Sequence, residues 1–94
     1  MISDLEKLGL DAARQVAGES AIEDVSVEPG TDAVGQPAYT FSFLIDEQRM
    51  RVRLGLFLIK VFQELCDKLE ARGDNHFPQI QLMSKTDWDK RARA

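Results

Sequence analysis

Hydrophobic and polar positions alternate most cleanly between Ala38 and Ile45. Tyr39, Phe41, Phe43 and Ile45 share one parity there, and Ala38, Thr40 and Ser42 share the other. Successive side chains of an extended chain point to opposite faces, so the pattern predicts a strand with one strongly buried face. Ile22 to Glu28, with Val25 and Val27 inward, predicts a second strand. The turn-rich segment from Pro29 to Pro37 then joins the two as an antiparallel hairpin with a long connecting loop. A helical period governs two other stretches. Residues 3–17 carry a thin apolar stripe of Leu5, Leu8, Ala12, Val16 and Ala17, opened by a Ser3–Glu6 capping box and stopped by Gly18. Gly9 weakens that helix by ~1 kcal/mol relative to alanine, which makes it dependent on packing.

The second helix is predicted over residues 56–71, ended by Gly73. At ~100° per residue, Leu54, Phe57, Leu58, Val61, Phe62, Leu65 and Leu69 fall in one sector ~140° wide, which can cover the aromatic face of the sheet. Leu56 and Ile59 lie outside it. Residues 49–54 satisfy two periods at once. Arg49, Arg51 and Arg53 alternate with Met50, Val52 and Leu54, as in a strand, while Met50, Leu54, Leu58 and Val61 keep helical spacing. The expectation is a third strand ending near Gly55. After a turn at Gly73-Asp74-Asn75, Phe77, Ile80 and Leu82 predict a final strand around 79–83, with Pro78 at its start. Thr86 caps a terminal helical turn through Trp88. The predicted whole is one α+β domain over residues 1–94. It consists of a small antiparallel sheet of three to four strands packed by two helices, in the order α-β-β-(β)-α-β, with a short C-terminal helical turn.

Composition narrows the function. A chain of 94 residues supports one modest core. The longest apolar block, Leu54 to Val61, is far shorter than the ~20 residues that span a bilayer, so no membrane partner is expected. No basic start followed by an apolar stretch marks a secretory signal, and a single cysteine, Cys66, excludes an internal disulfide. Both fit a cytoplasmic setting. The net charge of −4 is unevenly spread: residues 1–47 balance to −8 and residues 48–94 to +4. The acidic half opposes general polyanion binding, and the simplest expectation is that the halves lie side by side and partly neutralise.

Candidate chemistry is sparse. His76 lies in a turn with Asp74 nearby but no serine or cysteine beside it. Cys66 neighbours Asp67 and Glu70, whose charge raises a thiol pKa, so a structural role fits better than a nucleophilic one. Asp32, Asp46, Glu47 and Arg49 assemble only loosely into a nuclease-like set, and no glycine-rich phosphate loop is present. Neither a catalytic, a cofactor nor a metal site is assigned. On a strand, Arg49, Arg51 and Arg53 would project from one face at a ~6–7 Å repeat, close to the phosphate spacing of a single strand. The competing explanation is a solvated face whose arginines pair with Glu23, Asp24 or Glu28.

The helix–strand–strand–strand–helix order is similar to that of the double-stranded-RNA-binding domain, in topology alone. That family presents a basic cluster at its second helix, where this chain has Gly55-Leu56-Phe57 and only Lys60. Two stretches, VEPGTDAVGQPAYTF (residues 27–41) and GDNHFPQIQLMSKTDWDKR (residues 73–91), resemble short uncharacterised bacterial α/β proteins, some of which are encoded beside toxin or phage-defence genes. The resemblance implies an accessory or neutralising, antitoxin-like partner rather than a catalyst, and it carries over no site residues.

These observations predict a small non-catalytic protein–protein interaction module, acting as a homodimer or as an accessory or inhibitory subunit of a larger complex. Leu56 and Ile59 are its expected apolar contacts, Arg49, Arg51 and Arg53 its charged rim, and Trp88 an anchor. Either the first helix covers Leu56 and Ile59 or a partner chain does, self or heterologous. The alternative function is nucleic-acid binding through the arginine ladder.

Overall fold

Aromatic alternation makes one strand the centre of the sheet. The computed structural model describes residues 2–93, with the side chains of residues 4–90. Along the chain lie α1 (Ile2–Ala17), a 3-10 turn (Glu19–Ala21), β1 (Ile22–Thr31), β2 (Pro37–Ile45), a second 3-10 turn (Glu47–Arg49), α2 (Leu54–Ala71), β3 (Phe77–Met83) and α3 (Lys85–Arg93). The α+β architecture and the element order follow the expectation. The sheet is ordered β1-β2-β3. β1 and β2 pair antiparallel, Val25 opposite Phe43 and Val27 opposite Phe41, whereas β3 joins β2 in parallel, Ile80 beside Phe41 and Leu82 beside Phe43. The sheet is therefore mixed, because the 18-residue α2 spans the length of the sheet and returns the chain in the direction of β2.

Both long helices pack on the aromatic face. Phe41, Phe43, Phe57, Val61 and Leu65 are fully enclosed, and the small residues Ala12, Ala13 and Ala17 bring α1 close against them. The opposite face is polar: the Thr40 hydroxyl donates to Gln79 Oε1 at 3.1 Å and the Ser42 hydroxyl to Gln81 Oε1 at 3.3 Å. Leu44 and Ala38 are buried outside the main core cluster. On that side α3 folds back over β2 and β3. Its cap is Ser84, whose hydroxyl accepts the Asp87 N–H at 3.2 Å; Thr86 lies within the helix. The expected Ser3–Glu6 box lies outside the described residues, since the Ser3 side chain is among those not described.

The hairpin connection is shorter than expected. Strand pairing runs on through Thr31 and Pro37, and the Asp32 carboxylate closes the tip by accepting the N–H groups of Val34 and Gln36. Residues 49–54 do not form a strand. Arg49 ends the second 3-10 turn, and Leu54 already begins α2. The backbone N–H of Asp46 donates to Ala21 O and that of Arg51 to Ala17 O, so this connector is tied to the first 3-10 turn and to the C-terminal end of α1. Both edges of β2 are occupied, by β1 and β3, which leaves no lateral place beside it for another strand.

Candidate functional site

α2 buries a narrow stripe. Phe57, Val61, Leu65 and Leu69 recur every four residues and so advance by ~40° per step around the axis. The stripe slants across the helix and leaves the flanks of its first two turns uncovered. Leu56 is 44% exposed, Leu58 37% and Ile59 59%, and Phe77 at the entry to β3 is 45% exposed. α1 packs against α2 but does not cover Leu56 or Ile59. Leu58, Ile59, Phe62, Phe77, Pro78 and Ile80, with Gln63 and Gln79 at its margin, line an open, mainly apolar groove of about 530 Å³ between α2 and β3, and the rings of Phe62 and Phe77 meet at 5.5 Å. Leu58, Ile59 and Phe77 are exposed within that groove, and Leu56 is exposed outside it, about one helical turn before Ile59.

Of the residues singled out from sequence, Leu56 and Ile59 thus share one exposed face. Leu58 was expected in the core sector, but it sits where the slanting stripe has not yet reached it. Phe77 was assigned to no site; its signal was an aromatic beside a proline at a strand entry. The three arginines do not share a strand face. Arg49 pairs with Asp46 at 3.4 Å, the Arg51 side chain passes Gly18, and Arg53 immediately precedes α2. Trp88 is half-buried on α3. The two charge halves do lie side by side, with Asp4 and Asp11 of α1 bordering the same hollow as Lys68 and Arg72.

The free edges of the sheet differ. β1 carries Glu23, Asp24 and Glu28, a register break between Ile22 and Asp24, and Pro29. Such features blunt an edge against further pairing. β3, Phe-Pro-Gln-Ile-Gln-Leu-Met, has no charged side chain, and its only guard is Pro78. The unguarded edge adjoins the apolar groove.

One polar cluster stands apart. α2 closes in a Schellman turn, with Gly73 at φ 73°, its N–H on Glu70 O and the Asp74 N–H on Leu69 O. This turn aims Asp74 at the sheet. Its Oδ2 accepts the Tyr39 hydroxyl at 2.7 Å, and its Oδ1 accepts His76 Nδ1–H at 2.6 Å and the His76 backbone N–H at 3.0 Å. The His76 ring stacks on Tyr39 at 4.0 Å. Burial alone would raise the Asp74 carboxyl, but the hydrogen bonds from His76 and Tyr39 outweigh it and hold the group below its ordinary value. The Tyr39 phenol is pushed up, first by donating to Asp74 and then by burial. The hollow beside His76 is lined by Pro37, Arg72, Gly73 and Asn75, which bring neither a hydroxyl nor a thiol to the ring. The arrangement ties the α2–β3 turn to β2. Burial, then the charges of Asp67 and Glu70, push the Cys66 thiol up. Among the described residues no group of three His, Cys, Asp or Glu side chains is placed to hold a metal ion, and no helix is long and apolar enough to cross a membrane. No protein-family model matches this chain, and searches of curated proteins and of solved structures likewise gave no match.

Proposed function

We propose that this chain is a small non-catalytic interaction module that docks another protein chain on the outer face of α2 and the adjoining β3. The observation that carries the reading is the exposure of Leu58, Ile59 and Phe77 in one groove, with Leu56 exposed near by on α2, beside an uncharged strand edge. Full burial of such a side chain contributes ~1.5–3 kcal/mol; at about half exposure each forgoes roughly half of that, which a partner surface recovers. An accessory or inhibitory subunit, antitoxin-like in the sense of the sequence resemblance, is a role of this kind. The arginine ladder of the nucleic-acid alternative depended on a strand that is replaced here by a 3-10 turn and a connector.

A photo-reactive amino acid at position 59, in the cells the chain comes from, tests the reading. Position 59 should yield covalent adducts of discrete mass, whereas position 28, on the guarded β1 edge, should not. Equal labelling from both positions would remove the basis for a docking face on α2.

A further inference from the structure

We infer that the occupant of this face is a second copy of the same chain, joined through β3 to β3 about a two-fold axis at Ile80. The inference rests on the reading of α2 and β3 as a docking surface and names its partner.

The sequence of β3 is self-complementary in character. Reversed about Ile80, Gln79 of one copy falls opposite Gln81 of the other, Pro78 opposite Leu82 and Phe77 opposite Met83. Polar meets polar and apolar meets apolar at every position. No like charges face each other, although 30% of the chain is charged. An isologous contact requires a surface that complements its own image, and β3 meets that requirement.

The faces also agree. A two-fold axis normal to the sheet keeps both helix layers on one side and forms a continuous six-stranded sheet, β1-β2-β3-β3-β2-β1. Ile80 borders the apolar groove, and Gln79 and Gln81 lie on the opposite, polar face with Thr40 and Ser42. The groove walls nearest the axis then face each other over the seam, bringing Leu58 and Ile59 of the two copies together, while Phe77 of each lies beside Met83 of the other. Among the described residues no strand pairs with the outer side of β3, and α3 touches β2 as well as β3. Pro78 has no N–H to give, and in a strand only every other residue turns its N–H to the outer edge, so pairing there runs on alternate residues between Gln79 and Leu82. Leu58, Ile59 and Phe77 supply roughly a third of the ~800 Å² per partner that a stable interface buries, and the strand edge and helix flank supply the rest.

A charge exchange at the seam tests this. Gln79 and Gln81 lie on the solvated face, so paired changes there spare the core. The parent should sediment at twice the 10.6 kDa chain mass over a dilution series. Gln79→Lys with Gln81→Lys places like charges opposite each other and should raise the dissociation constant by about 100-fold or more; Gln79→Glu with Gln81→Glu should do the same. Mixing the two variants should restore a heterodimer within about tenfold of the parent affinity. A parent that stays monomeric at millimolar concentration overturns the inference, as does a dimer indifferent to these exchanges. In either case discrete adducts from position 59 would leave the docking face standing with a different occupant, and their absence would remove that as well.

Discussion

Gly9 offers the sharpest test of how the core is assembled. In an isolated helix Gly9→Ala would stabilise by ~1 kcal/mol, because glycine has more backbone freedom to lose. Here a Cβ at position 9 would come 2.7 Å from Phe41 Cδ2 and 3.0 Å from Cε2. Carbon atoms rest at ~3.5–4.0 Å, so the ring or the helix must yield by roughly 1 Å. The ring has little room: Phe41 is 0% exposed, with Tyr39 edge-on at 6.3 Å and Phe43 stacked at 6.4 Å. Overpacking of this kind costs about 1–3 kcal/mol, which exceeds or at least cancels the propensity gain. Gly55 is the internal control, since nothing lies within 4 Å of a Cβ built there. Urea denaturation followed by far-UV circular dichroism should find Gly9→Ala less stable than the parent by about 1–2 kcal/mol, or roughly 5–10 °C in Tm. Gly55→Ala should be more stable by about 0.5–1 kcal/mol. In a Phe41→Leu background the cost at position 9 should shrink, which is a coupling of about 1 kcal/mol. A Gly9→Ala protein that gains as much stability as Gly55→Ala would refute close α1–sheet contact as the reason for the glycine.

Three further outcomes are expected. Asp74→Asn should cost about 1–3 kcal/mol at neutral pH through the lost charge-assisted bonds from His76 and Tyr39. Because the folded Asp74 pKa lies below its ordinary 3.8, the unfolded chain binds more protons in acid. That stabilisation is present above 3.8 and lost as pH falls through the folded value, so parent and variant should converge in acid melts; a gap that persists at pH 2 would assign the cost to packing. Tyr39 has a raised pKa, so its share is present below 10 and lost as pH rises through the folded value, which the Tyr39→Phe protein should not show. Ser84→Ala should destabilise α3 by about 1 kcal/mol, seen as faster amide exchange in its first turn, and Thr86→Ala should not. Finally, Cys66 should alkylate more slowly than a free thiol at neutral pH, because its thiolate is disfavoured by burial and by Asp67 and Glu70.

What could be inferred from sequence was whatever a single periodicity decided. The β2 alternation, the Val25 and Val27 face and the glycine stops at Gly18 and Gly73 all stand where expected, because each depends on local geometry. Residues 49–54 fit two periods and follow neither before Leu54, because β3 takes the second edge of β2 and the connector is tied to the end of α1 instead. That strand begins 23 residues after Leu54, and no local pattern encodes the pairing. The exposure of Ile59 and Leu56 was legible as a surplus of apolar positions on α2. The exposure of Leu58 was not, since it depends on the slant of the buried stripe relative to the sheet. The Tyr39–Asp74–His76 cluster was half-visible: Asp74 and His76 are neighbours in the turn, but Tyr39 reaches them only because β2 and β3 run parallel.

The parallel placement of β3 also fixes an order of events during synthesis. β1, β2 and the glycine-spaced α1 emerge from the ribosome as a set of near neighbours able to close on one another, since the hairpin needs only a five-residue tip. β2 must then wait, with one side of its backbone unpaired, until α2 has been made and wound and β3 follows it out. A translational pause within α2 would prolong that interval, leaving the most aromatic strand in the chain open to whatever other strand is nearby.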